Sequence, residues 1–239
     1  MSRILVVLLA VFLAACAHKP PLVEESPVVT GKPVMEGKRP EFHTVERGDT
    51  LYSIAFRYGL DFRQMAAANG IDEPYTIYPG QKVRLTAGDV AAAKPAMPPV
   101  TTATAPVAAP EPATPTLRGW QWPVGGKVVS SFNAASVGPK GIALAGNAGD
   151  PVHAARGGRV VYTGSSLVGY GQLVIIKHDD VYLSAYAHNS RLLVKEGDLV
   201  KAGDAIAEMG SSGTDRTQLH FEVRRNGDPI DPLQVLPRR

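Results

Sequence analysis

Three polar side chains near the C-terminal end are spaced to share one surface. In Thr217-Gln218-Leu219-His220-Phe221-Glu222-Val223 apolar and polar residues alternate, which is the period of a half-buried β-strand. Leu219, Phe221 and Val223 then face a core, while Gln218, His220 and Glu222 share the opposite face, because side chains two apart point the same way. A strand presenting His-x-His in this manner can hold one metal ligand and one catalytic group. Here the first of those positions is Gln218. Whether the strand belongs to a working site depends on what the rest of the chain brings beside it.

From Trp120 onward the chain reads as all-β. Gly158-Arg159-Val160-Val161-Tyr162, Leu173-Val174-Ile175-Ile176 and Tyr182-Leu183-Ser184-Ala185-Tyr186 are short, rich in β-branched and aromatic residues, and separated by glycine clusters. With no long helical period, residues 119–239 make one antiparallel β-domain. A smaller unit precedes it. Phe42-His43-Thr44-Val45 opens as a strand, and Asp49 is placed to cap a helix whose apolar stripe is Leu51, Ile54, Ala55 and Tyr58. Gly59 ends that helix. Asp61 caps a second one, with Gln64 as capping-box partner, and Asn69-Gly70 stops it. Lys82 to Leu85 closes a β-α-α-β unit over residues 42–86. The fold class is thus mainly β with a small α+β module. Residues 87–118 are almost entirely Ala, Pro, Thr and Val, which favours a disordered, semi-stiff spacer. Fully extended it would reach roughly 100 Å at about 3.1 Å per residue, so no fixed geometry between the two units is expected.

The chain has 239 residues, 20% of them charged, with a net charge of +3. That balance, without a basic cluster interleaved with aromatics, excludes nucleic acid as the natural partner. Cys16 is the only cysteine, so no internal disulfide forms. Met1-Ser2-Arg3 is followed by an apolar run from Ile4 to Ala15, too short to span a bilayer and the right length for a secretory signal. The run ends in Leu13-Ala14-Ala15-Cys16, which resembles the bacterial lipobox. The resemblance implies signal-peptide removal after residue 15 and several acyl chains on Cys16, enough for stable anchoring. Ala17, where no Asp follows the cysteine, implies the inner leaflet of the outer membrane. Residues 17–41 then form a tether.

Residues 42–86 resemble a LysM domain through Val45, Gly48-Asp49-Thr50-Leu51, Ile54-Ala55, Asn69, Ile71 and Ile77-x-Pro79-Gly80-Gln81. The resemblance covers the whole unit and implies binding of N-acetylglucosamine polymers, hence of peptidoglycan glycan strands. It places the glycan between Gly48, Asp49, Thr50 and Leu51 on one side and Asn69, Ile71, Ile77 and Pro79 on the other. Asp49 and Asn69 also have local structural uses, as a cap and a helix stop.

The β-domain resembles the lysostaphin/LytM-type zinc endopeptidases, through Trp122-Pro123-Val124-x-Gly126, Gly141-Ile142-Ala143, Pro151-Val152-x-Ala154, Tyr170-Gly171, Ile176-x-His178, Tyr186-Ala187-His188, Gly210-x-x-Gly213 and Leu219-His220-Phe221-Glu222. Enzymes of that family hold zinc with a His-x-Gly-x-Asp motif and the second histidine of His-x-His. Anchored on Gly141, the first histidine position is Pro139 and the aspartate position is Ala143, while the third ligand is retained as His220. Of two further histidines that act on water and the intermediate, His188 is retained and the other is Gln218. One imidazole cannot hold zinc where three protein ligands are needed, and without zinc there is no lowered water pKa. Asp150, His153, His178, His43 and His18 are weaker candidates for rescue, the first in a Gly-Asp-Pro turn and the others structural or outside the domain. The expectation is therefore no metal, no cofactor and no catalysis by this chain.

A lipobox, one LysM, a Pro/Ala spacer and a degenerate LytM domain together resemble the outer-membrane lipoproteins that activate a periplasmic N-acetylmuramoyl-L-alanine amidase during septum splitting. The resemblance implies that Pro139, Ala143, His188, Gln218, His220 and Glu222 belong to a vestigial site that receives the amidase. The alternatives are an active zinc endopeptidase and a purely structural tether between membrane and wall.

Overall fold

A computed structural model describes residues 39–85, 119–135 and 138–239. The signal segment with Cys16, nearly all of the tether and the whole Pro/Ala spacer lie outside the described residues.

The N-terminal unit forms in the expected order. Strand β1 (Phe42–Thr44) is followed by helices α1 (Leu51–Tyr58) and α2 (Phe62–Asn69), and strand β2 (Lys82–Arg84) returns to pair antiparallel with β1. The cap of α1 differs from expectation. Thr50 is the N-cap, its hydroxyl accepting from the Ser53 N–H at 3.0 Å while Ser53 Oγ accepts from the Thr50 N–H at 2.9 Å, a closed capping box. Asp49 is drawn away by other partners: His43 Nε2 at 2.8 Å, the Glu46 N–H at 3.0 Å and Arg57 at 3.4 Å. Asp61 caps α2 by accepting from the backbone N–H groups of Arg63 and Gln64. Its side-chain partner is Arg63, at 2.7 Å, rather than Gln64. Gly59 and Gly70 close the two helices in the left-handed conformation.

The β-domain contains β3 (Val128–Ser130), β4 (Ile142–Leu144), β5 (Pro151–His153), β6 (Gly158–Gly164), β7 (Gln172–Lys177), β8 (Tyr182–Leu192), β9 (Leu199–Val200), β10 (Ala205–Met209), β11 (Leu219–Arg225) and β12 (Asp228–Ile230). These ten strands form one sheet whose main path runs β3-β4-β11-β8-β7-β6-β9, with β10 joining β5 to β8 and β12 added to β11. Every pairing is antiparallel.

Both faces of its centre are buried. Val160, Val174, Ile176 and Tyr186 point into one core with Phe221 and Val223. Their neighbours Val161, Leu173, Ile175, Leu183, Ala185 and Ala187 point the other way, into a core shared with Leu51, Ile54, Phe56, Phe62 and Met65 of the helical unit. The expectation of no fixed geometry between the units is thereby corrected: the described residues of both units fall within one compact body. The seam is closely fitted. The β11–β12 hairpin turns through Asn226-Gly227, both at positive φ, as a two-residue hairpin loop requires. A Cβ on Gly227 would lie 2.4 Å from the Leu60 carbonyl carbon, at the α1–α2 junction. Arg63 Nη2 donates to Asn226 Oδ1 at 3.0 Å across the same seam.

His178 is half-buried in the β-domain and gives it a pH dependence. Its Nδ1–H donates to the Gly157 carbonyl at 2.9 Å, Nε2 meets Ser184 Oγ at 2.7 Å, and Trp120 packs edge-on with ring centroids 4.8 Å apart. Burial pushes its pKa down from 6.5 to about 4. Because the folded value is depressed, protonation favours the unfolded chain, and stability present above pH 6.5 falls away down to about pH 4. Urea unfolding should show the protein roughly 2–3 kcal/mol less stable at about pH 4.5 than at pH 7 through this residue alone. His178→Gln should flatten that part of the profile, and an unchanged slope would place the acid sensitivity elsewhere.

Candidate functional site

Strand β11 has the alternation read from its sequence. Leu219, Phe221 and Val223 are fully buried in the β-domain core, and His220, Glu222 and Arg224 occupy the opposite face. The register of the sheet sets His220 directly opposite Ala143 on β4 and Ala187 on β8. Ala143 and His220 are therefore cross-strand neighbours, and His188 follows Ala187 on the third strand. Gly141 lets β4 approach this closely, since a Cβ there would meet the Phe221 carbonyl oxygen at 2.2 Å.

These residues border a cavity of about 540 Å³. Pro139, Gly141, Ala143, Gln218 and His220 form one side of its lining, and Ser130, Ser131, Thr214, Asp215 and Arg216 belong to the remainder. Four of the six residues assigned to the vestigial site thus share one groove. His188 and Glu222 are not part of its lining. His188 stands behind His220, ring centroids 5.9 Å apart, in a left-handed backbone conformation with φ 66°. Its Nδ1–H donates to the Ser212 carbonyl at 2.8 Å. Burial, with the neighbouring His220, lowers its pKa and keeps the ring neutral near pH 7.

Glu222 is the hub of a charge network beneath the groove. It is fully buried. Its Oε1 accepts from Tyr170 Oη and His220 Nε2, both at 2.9 Å, and from the Lys140 N–H at 2.6 Å. Its Oε2 accepts from Arg224 Nε at 3.3 Å and Nη2 at 3.1 Å. Burial alone would raise its carboxyl pKa, but the Arg224 charge and these donors outweigh burial and hold it below the usual range. Since the carboxylate only accepts, His220 carries its proton on Nε2, and Nδ1 is the nitrogen that Glu222 does not engage. Burial and the Glu222 charge push the Tyr170 phenol well up, so it stays a donor.

The network continues into the helical unit. Arg224 Nη1 donates to the Phe56 carbonyl at 2.8 Å, and the guanidinium lies 3.7 Å from the Phe56 ring centroid. A cation at the last turn of α1 also meets the negative end of the helix dipole. Tyr170 makes a second link, edge-on to Phe56 at 5.6 Å and to His220 at 6.0 Å. Arg224 and Tyr170 were missed as site residues in the sequence. The signal for Arg224 was present, as it continues the every-second-residue series Gln218, His220, Glu222.

The residues assigned to the glycan groove divide. Asp49, Thr50, Leu51 and Ile77 line a second cavity, of about 870 Å³. Gly48, Asn69, Ile71 and Pro79 lie outside its lining. The Asn69 amide joins the end of α2 to β2, donating to the Met65 carbonyl at 2.7 Å and accepting from the Arg84 N–H at 2.7 Å.

Residues 43–86 match the LysM domain and residues 138–232 match peptidase family M23. The NlpD/LppB lipoprotein homologue of Pseudomonas aeruginosa is 46% identical over 267 aligned positions, covering 95% of this chain and 89% of its own. The chain belongs to the NlpD/LppB lipoprotein family. The murein hydrolase activator NlpD of Escherichia coli is 40% identical, over 82% of this chain and 68% of that one. A zinc-containing peptidase from Vibrio cholerae is 31% identical over 47% of this chain and 39% of that one, with a TM-score of 0.45.

An M23-type zinc centre needs three protein ligands around an open position. In this NlpD/LppB chain the groove offers one imidazole, His220, and the neighbouring Pro139 and Ala143 carry no side-chain donor atom. Among the described residues no group of three His, Cys, Asp or Glu side chains is arranged to hold a metal. The residues present do not fit the ion.

Proposed function

We propose that this chain is an outer-membrane-anchored, peptidoglycan-binding activator of a periplasmic N-acetylmuramoyl-L-alanine amidase, acting in septal wall splitting and daughter-cell separation without hydrolysing the wall itself. The observation that supports this reading is the 540 Å³ groove, whose lining sets His220 beside Pro139 and Ala143, two side chains that cannot bind a metal. A concave surface with convergent polar groups and no catalytic set is a binding site for a partner. The names of the Escherichia coli and Pseudomonas relatives support both the activating role and the lipid anchor on Cys16.

The buried network gives the groove a stiff floor. His220 is oriented by Glu222, which is fixed by Arg224 and Tyr170, so the groove enters an encounter pre-shaped. Binding of the amidase there would favour the amidase's open state by as much as the groove prefers that state.

The test mixes the detergent-solubilised protein, dye-labelled cell wall and each amidase of the host. The protein alone should release no dye, and one amidase should release it several-fold faster in its presence. Gln218→Arg, which fills the groove, should abolish the stimulation. Release by the protein alone would establish an endopeptidase instead, and no stimulation of any amidase would end the activator reading. A groove substitution is preferable to deleting residues 119–239, because the deletion would also strip the helical unit of its shared core.

A further inference from the structure

The 870 Å³ cavity has two walls. One is the glycan side of the helical unit, Asp49 to Tyr52 and Glu73 to Ile77; the other is β-domain surface at Gly158 to Val161, Lys177 to Asp179, Glu196, Gly197, Leu199 and Val200. We propose that the β-domain completes the glycan site, so that a chain of N-acetylhexosamines is held between the two units rather than on the helical unit alone. The proposal rests on the reading of residues 42–86 as a glycan-binding module.

The composition of the second wall matches sugar chemistry. A pyranose presents an apolar C–H face and a rim of hydroxyl and acetamido groups, and calls for flat apolar surface beside fork-like donors and carboxylate acceptors. Leu199 stands 73% exposed on the β-domain wall of a cavity that Tyr75 and Ile77 also line. Arg159 is exposed, and its bond among the described residues is from Nη1 to the Gly197 carbonyl at 2.9 Å. That contact braces the guanidinium and leaves most of its five N–H groups for a ligand. Glu196 holds the Thr163 N–H at 3.2 Å through Oε1, leaving Oε2 as an acceptor. Lys177 is steadied by Asp180 at 2.9 Å. The volume falls within the roughly 300–1,000 Å³ usual for pockets that enclose small ligands. The shared core fixes the two walls relative to each other, so the ligand need not order them.

The test is calorimetric titration of chitohexaose into the detergent-solubilised full-length protein, its Arg159→Ala variant and its Leu199→Asp variant. Both substituted side chains are exposed and belong to neither core, so melting temperatures should be unchanged. Removing a charged hydrogen-bond donor to the ligand should weaken binding about tenfold for Arg159→Ala, with a comparable loss for Leu199→Asp. If either variant binds at least about fivefold more weakly at unchanged stability, the β-domain is part of the site. If the parent binds and neither variant differs from it, the site belongs to the helical unit alone and the proposal is overturned while the glycan reading stands. If the parent itself does not bind chitohexaose, the glycan reading falls and the two-walled site falls with it.

Discussion

Glu222→Ala should lower the melting temperature by roughly 10 °C. The substitution leaves Arg224 buried without its carboxylate, and breaking a buried pair in this way costs about 3–5 kcal/mol, with about 2–4 °C lost per kcal/mol in a domain of this size. It also leaves Tyr170 Oη, His220 Nε2 and the Lys140 N–H without their common acceptor. The double variant Glu222→Leu with Arg224→Met, which removes both charges, should recover a large part of the loss, because desolvating an unpaired charge is the dominant cost. Calorimetry of the single and double variants checks both statements. A single variant melting within about 2 °C of the parent would show that the network contributes nothing net. The pH signature differs from that of His178. Glu222 has a depressed folded pKa, so its contribution is complete above the unfolded carboxyl value of about 4.3 and is lost only as pH falls through the lower folded value.

The second large effect is a gain of metal. Pro139→His with Ala143→Asp should convert a groove with one ligand into one with three, because positions 139, 143 and His220 line the same cavity, and 143 and His220 are register partners. The double variant should retain one zinc per chain after gel filtration, where the parent retains none. Zinc at about a hundred times its dissociation constant should stabilise the variant by about 2.7 kcal/mol. Adding Gln218→His would supply the second imidazole beside the metal, and wall lysis by that triple variant is the further readout. Failure to take up zinc in a variant that still folds would mean that the lost ligand positions have been misplaced by one or more residues.

Much of this was legible because it is local. Helix ends announce themselves through Asp61, Gly59 and Gly70, and the two faces of β11 follow from a two-residue period. The cap of α1 was misread because Asp49 and Thr50 are both good caps, and the choice is made by His43 and Arg57, which reach Asp49 only once the unit has folded. The docking of the two units leaves a trace in the sequence. Leu173-Val174-Ile175-Ile176 is apolar without alternation, which marks a strand covered on both faces. That pattern shows that something covers the second face of β7, but not that α1 and α2 do so. Likewise the series from Gln218 to Arg224 shows which side chains share a face, whereas the Phe56 carbonyl that receives Arg224 lies 168 positions away in the chain. Partners that distant are chosen by the fold as a whole.

The seam between the units has one more consequence. Leu85 is fixed in the shared core and Trp120 in the core of the β-domain, so both ends of the intervening stretch are pinned to the same body. Joining two points of one body closes a loop, whatever the length of the chain between them. Closure entropy grows only with the logarithm of ring size, and doubling the length would cost about 0.6 kcal/mol. Relatives could lengthen or shorten this part of the chain freely without changing the fold, the groove or the cavity between the units, and its drift in length would carry no information about reach.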